Sequence, residues 1–125
     1  MPAYDQNFEP PAPVAGVSVV HPITGASGDV LRGKLDSGAD VTVIPDRLIA
    51  QLNLTPRRYV WTRGYDGTYS RRPVYYVQLI VEGFDLPIVR CIAADRANVL
   101  LGRNVLNSFI ITLDGKNLTF ELKDP

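Results

Sequence analysis

The sequence predicts an all-β fold, a closed barrel-like lobe with one or two short helices. Short runs rich in Val, Ile, Leu and Tyr recur along the chain, each bounded by Gly, Pro, Asp or Asn. Helical spacing of apolar residues is confined to brief stretches near residues 46–53 and 104–109. The 125 residues suffice for one core but not for two lobes, and no internal repeat is visible.

Bulk properties narrow the function classes. Thirteen basic residues balance thirteen acidic ones, so net charge argues for neither nucleic acid nor membrane as a partner. The one cysteine, Cys91, allows no internal disulfide and fits a reducing compartment. No apolar run approaches membrane-spanning length, and the first residues lack the basic-then-apolar layout of a signal peptide. The expectation is a soluble, cytoplasmic protein.

Taken in order, residues 1–13 carry Pro10, Pro11 and Pro13, which deny the stretch regular hydrogen bonding. They read as a flexible arm, with residues 14–125 as the domain; an autoprocessing site or a dimer-wrapping arm is the functional alternative. Val14–Val20 is a strand, His21–Gly28 a turn, and Asp29–Leu35 the returning strand. Val41–Ile44 is β-branched and buried in character. Asp46 is placed to cap a helix through about Asn53, with Leu48, Ile49 and Leu52 on one face. Residues 58–82 read as a long hairpin with Gly64-Tyr65-Asp66-Gly67 at or near its tip, Asp-Gly being a strong type I′ turn signal. Phe84–Ala94 and Val99–Leu101 are further strands, Asn104–Phe109 a short helix or turn, and Ile110–Leu113 with Leu118–Leu122 a closing hairpin.

Chemistry concentrates in two stretches. In Leu35-Asp36-Ser37-Gly38-Ala39-Asp40, an apolar strand delivers a carboxylate into a tight turn, where Gly38 lets the backbone fold back beneath it. Much later comes Val99-Leu100-Leu101-Gly102-Arg103-Asn104. Together these stretches resemble the retropepsins, the single-lobed aspartic proteases. The match covers Asp-Ser/Thr-Gly-Ala followed by Asp, then apolar-apolar-Gly-Arg-Asn/Asp.

The resemblance implies a homodimeric aspartic endopeptidase acting on extended peptide, with no cofactor and no metal. Asp36 would meet its symmetry mate, Ser37 would bond across the two-fold axis, and Gly38 would bring its N–H to the carboxylate. Ala39 stands where pepsin-like lobes often carry a hydroxyl that supports the charged form. Its absence predicts an optimum in mildly rather than strongly acidic solution. Asp40 and Arg103 would form a bidentate ion pair buttressing the loop, and Gly102 would let its strand pass close beneath. The hairpin would be a flap, with Trp61, Gly64, Tyr65, Gly67 and Tyr69, beside Ala39 and Asp40 of the loop, as candidate substrate contacts.

Other readings remain beside this one. Arg57, Arg58, Arg63, Arg71 and Arg72 read as solvated edge charges, the alternative being a preference for acidic substrates or an anionic partner. A peptide-binding dimer without efficient hydrolysis would use the same fold, and a monomeric interaction domain is weaker still. His21, the one histidine, would have to carry any Ser-His-Asp triad alone. The ends depart from retroviral proteases, which interleave short terminal strands, so Leu118–Leu122 of each copy is the expected dimer contact.

Overall fold

Strands that alternate between core and solvent must have their inward faces covered, and here the main sheet does so by closing on itself. The computed structural model describes residues 1–63 and 66–125. Among them run β1 (Val14–Val20), β2 (Leu31–Leu35), β3 (Thr42–Pro45), α1 (Arg47–Gln51), β4 (Arg58–Arg63) and β5 (Tyr69–Val81). Then follow β6 (Phe84–Ala94), β7 (Val99–Leu101), α2 (Arg103–Leu106), β8 (Ile110–Asp114) and β9 (Thr119–Lys123). Period-two burial is clean in β1, at Ala15, Val17 and Val19, and in β5, at Tyr75, Val77, Leu79 and Val81.

The main sheet is ordered β1-β2-β7-β3-β6-β5-β4, and β1 also pairs with β5. The first half of β1 lies against β2 and its second half against β5, from Val17↔Val81 to Val20↔Gln78. That double use closes six strands into a barrel, with β4 pairing β5 beyond the closure. The parallel β2–β7 pairing decides where the chemistry sits: Leu35 lies opposite Leu101, so both strands deliver their next residue at the same end. β3 crosses β7 antiparallel at Val43↔Leu100 and returns from that end.

Four local expectations need correction or completion. Asp46 occupies the N-cap of α1 but makes no side-chain cap; its N–H donates instead to the Ala94 carbonyl at 2.9 Å. The Asp-Gly turn expected in the β4–β5 hairpin is described only in part: Gly67 has φ +83°. Asp66 accepts from the Thr68 hydroxyl at 2.6 Å and the Thr68 N–H at 3.0 Å, which holds its carboxyl below the ordinary range. Gly64 and Tyr65, expected at this tip, lie outside the described residues.

Residues 1–13, expected as a flexible arm, make a series of contacts with the rest of the chain. Ala3 bridges Thr119, the Tyr4 N–H donates to Leu118, and the Tyr4 and Phe120 rings lie 6.3 Å apart. Asp5 pairs with Arg32 at 3.1 Å. β9 is therefore flanked by β8 on one side and by residues 2–4 on the other. Its Phe120 and Leu122 point into the core.

Candidate active site

The loop between β2 and β3 is anchored at both ends by backbone hydrogen bonds. The Asp36 N–H donates to Leu101 at 3.0 Å, and the Arg103 N–H donates to Ala39 at 2.9 Å. Across the turn, the Ala39 N–H reaches the Asp36 carbonyl at 3.2 Å. The Gly38 N–H donates to Asp36 Oδ1 at 2.9 Å, so the half-exposed carboxylate is oriented by its own loop. Ser37 and Gly38 are exposed, and no side-chain hydrogen bond to the Ser37 hydroxyl is found among the described residues.

The strand carrying Gly102 runs directly beneath. A Cβ on Gly102 would stand 2.6 Å from the Val41 carbonyl carbon and 2.7 Å from its oxygen. Backbone cannot give way there, so glycine is required by contact and not by its torsion angles. Arg103 lies beside the loop as expected, but its fork is split rather than bidentate. One nitrogen donates to the Ser37 carbonyl at 2.7 Å and the other pairs with Asp40 Oδ1. A carboxylate takes one arm of the guanidinium and the loop backbone the other, so the side chain clamps residues 37–40 together.

Sequence reasoning missed the network under this clamp. Thr42 is fully buried; its N–H and hydroxyl donate to Asn104 Oδ1 at 3.0 and 2.9 Å. The Thr42 oxygen accepts from the Gly102 N–H at 3.1 Å, and Asn104 Nδ2 reaches the Arg90 carbonyl at 2.7 Å. Three strands (β3, β6 and the end of β7) and α2 are thus tied at the base of the loop. The available signal was a lone hydroxyl in the apolar run Val41-Thr42-Val43-Ile44 and the amide following Arg103.

Beside the loop, a groove of about 460 Å³ opens between Asp40 and Val41 below and the β4 residues Val60–Arg63 above. Trp61 and Tyr69 of the hairpin are 70% and 65% exposed, large apolar rings with little packing within the protomer. Trp61 lines the groove, whereas Tyr69 does not and instead lies beneath the Arg63 guanidinium at 5.9 Å. A second depression of about 510 Å³, lined by Ile23, Arg57, Tyr76 and Ile88, contains no residue of the loop and no carboxylate. His21 caps its own turn, with Nδ1 accepting from the Ile23 and Thr24 N–H groups at 3.1 and 3.2 Å.

These contacts place the two sequence stretches in one structural unit, and a family model describes the same unit. Residues 24–108, more than half of the chain, match the gag-polyprotein aspartyl protease family. The chain belongs to this family.

No curated protein matches the chain. Among solved structures, it is similar to a retropepsin-like aspartic protease from Rickettsia conorii, at 16% identity and TM-score 0.66, covering 96% of this chain and 86% of that one. The simian foamy virus protease aligns with TM-score 0.57 at 19% identity over 75% of this chain and 91% of its own. The EIAV protease, solved with an inhibitor, aligns with TM-score 0.53 at 23% identity, over 77% and 86%. The fold is retropepsin-like, and the element order matches the barrel lobe expected for such proteases.

Proposed function

We propose that the chain is an aspartic endopeptidase that works as a homodimer, with Asp36 of each copy forming the catalytic pair. The observation that carries this is the Asp36 loop itself. Its carboxylate is oriented by the Gly38 N–H, and its backbone is clamped by Arg103. The neighbouring Ser37 remains exposed and free to meet another copy. One chain supplies only one Asp-Ser-Gly, so a second copy must bring the other carboxylate.

Two carboxylates a few Å apart cannot both ionise cheaply, so the pair holds one proton, as in aspartic proteases generally. The ionised member takes a proton from a water held between them, and the water oxygen attacks the peptide carbonyl carbon. The protonated member donates to the carbonyl oxygen, giving a neutral tetrahedral diol. The carboxyl that took the water proton then protonates the amide nitrogen while its ionised partner accepts a proton from a diol hydroxyl; the C–N bond breaks, the amine and carboxylic acid products leave, and the singly protonated pair is restored. Ser37, Gly38, Asp40 and Arg103 position the pair. In this reading the β4–β5 hairpin covers the substrate, and Trp61, Gly67 and Tyr69 are its candidate contacts among the described residues.

The second copy is best accommodated on β8. Ile110 and Leu113 are 53% and 57% exposed there, and Leu113 borders an apolar hollow of about 190 Å³ that also contains Ser37, Leu35 and Leu106. Continuity of this hollow with the catalytic loop favours β8 over the Leu118–Leu122 strand, whose far side is occupied by residues 2–4. No helix among the described residues is long and apolar enough to cross a membrane. A cytoplasmic setting is proposed on the strength of Cys91, which is buried and unpaired.

The test is hydrolysis of a mixed peptide library by the wild type beside Asp36→Asn, from acid to neutral pH. Products from the wild type alone, most abundant in mildly acidic solution, are the expected result. Equal products from both proteins, or none from a dimeric wild type, would overturn the assignment. Highest activity near about pH 2 would contradict the role given to Ala39.

A further inference from the structure

The groove beneath β4 carries positive charge that the structure does not neutralise. Its lining includes Asp40, Trp61, Arg63, Arg90 and Ile92. Asp40 is already engaged by Arg103. Arg63 and Arg90 have no carboxylate within ion-pairing distance among the described residues, where the ion pairs found are Arg32–Asp5 and Arg103–Asp40. Arg57, Arg58, Arg63, Arg71 and Arg72 were read from sequence as one solvated set, and the structure separates them. Arg71 lies over the Tyr59 ring at 4.0 Å and Arg57 lines the distant depression, while Arg63 alone of the five enters this groove.

Arg90 comes from a different strand and was not singled out by sequence. Its carbonyl accepts from Asn104 Nδ2 at 2.7 Å, and the same Asn104 holds Thr42 beneath the Asp36 loop. The backbone of Arg90 is therefore fixed to the scaffold that positions the carboxylate. Arg63, the last residue of β4, lines the same groove from the hairpin side, its guanidinium 5.9 Å from the ring of Tyr69, its partner in register. One cation thus belongs to the rigid floor and one to the covering hairpin.

We infer that this groove selects substrates with acidic side chains close to the scissile bond, Arg63 and Arg90 being the recognising cations. The inference rests on the endopeptidase reading above and deepens it. An uncharged peptide closing the groove would strip water from two guanidinium groups and return nothing. A glutamate or aspartate side chain supplies charge-assisted hydrogen bonds to both. Val60, Trp61 and Ile92 lower the local dielectric, which strengthens the pairing above that of a fully exposed ion pair. In a two-fold dimer each copy contributes one such groove, so acidic residues are preferred on both sides of the cleaved bond.

The library cleavage products identify a cut site, from which paired peptides differing only by Glu or Gln near that site are made. The expected result is about tenfold higher kcat/KM for the Glu peptide. The advantage shrinks as salt is raised through the range where the Debye length falls below about 8 Å. Arg90→Glu inverts the preference toward a Lys-bearing peptide, whereas Arg90→Lys keeps the preference for Glu. Thermal melts of both variants separate lost recognition from lost folding. Equal rates for the Glu and Gln peptides would overturn the inference and leave the endopeptidase assignment standing. If the wild type cleaves nothing, fluorescence anisotropy with labelled Glu-rich and Gln-rich peptides on Asp36→Asn decides independently. About tenfold tighter binding of the acidic peptide, lost in Arg90→Gln, supports selection by charge; equal binding or none overturns it.

Discussion

Thr42 shows how much of this site depends on a residue that touches no substrate. Its hydroxyl donates to Asn104 in a partly buried setting and accepts from the Gly102 N–H in a fully buried one. Thr42→Val keeps the shape and leaves a buried N–H without a partner, which should cost about 2 kcal/mol. Urea denaturation measures this, and kcat should fall with KM little changed because the Asp36 loop loses its floor. Cys91 offers an independent check of the core. Burial pushes its thiol up to about 12, from an ordinary value of 9.0. It should therefore resist thiol reagents at neutral pH until the protein unfolds. The sign of its effect on stability follows: between those two values the unfolded chain sheds the proton first, so stability falls as pH rises above about 9. A native protein modified at the rate of a free thiol would contradict the packing of β6 against β3.

At the scale of elements, legibility followed the strength of the local pattern. Val14–Val20, Phe84–Ala94 and Val99–Leu101 are readable in sequence because β-branched and alternating residues leave them no other use. The Asp36 and Gly102 stretches are likewise legible, and the parallel β2–β7 register explains why they meet. The Thr42–Asn104 link was not, since its partners lie 62 residues apart and a threonine in a strand is unremarkable by itself. At Asp66-Gly67 the Asp66 side chain takes up the Thr68 N–H, a contact that the dipeptide alone does not announce. The first residues were opaque because their partners are at the other end of the chain. Deleting residues 1–11 removes the Tyr4–Phe120 contact and the Asp5–Arg32 pair. Calorimetry should show a fall in Tm of roughly 5–10 °C, corresponding to about 2 kcal/mol for a domain of this size. Sedimentation should still report a dimer, because β8 is left intact. A monomer with unchanged Tm would instead assign the interface to the arm.

For the whole molecule, the barrel fits the proposal that the catalytic pair is built from two copies. Closure through β1–β5 fixes the inner face, and the Asp36 loop is left at one end beside an apolar surface on β8. Leu113→Glu places a charge in that surface without touching the core, and should shift the sedimenting mass to the monomer and abolish hydrolysis together. The most direct measurement mixes wild-type protein with Asp36→Asn at fixed total concentration, allows subunits to exchange, and follows peptide hydrolysis. If each active site needs Asp36 from both copies, mixed dimers are inactive and total activity falls as the square of the wild-type fraction. Activity falling in simple proportion to that fraction would mean that one chain carries a complete site, and would contradict the shared dyad.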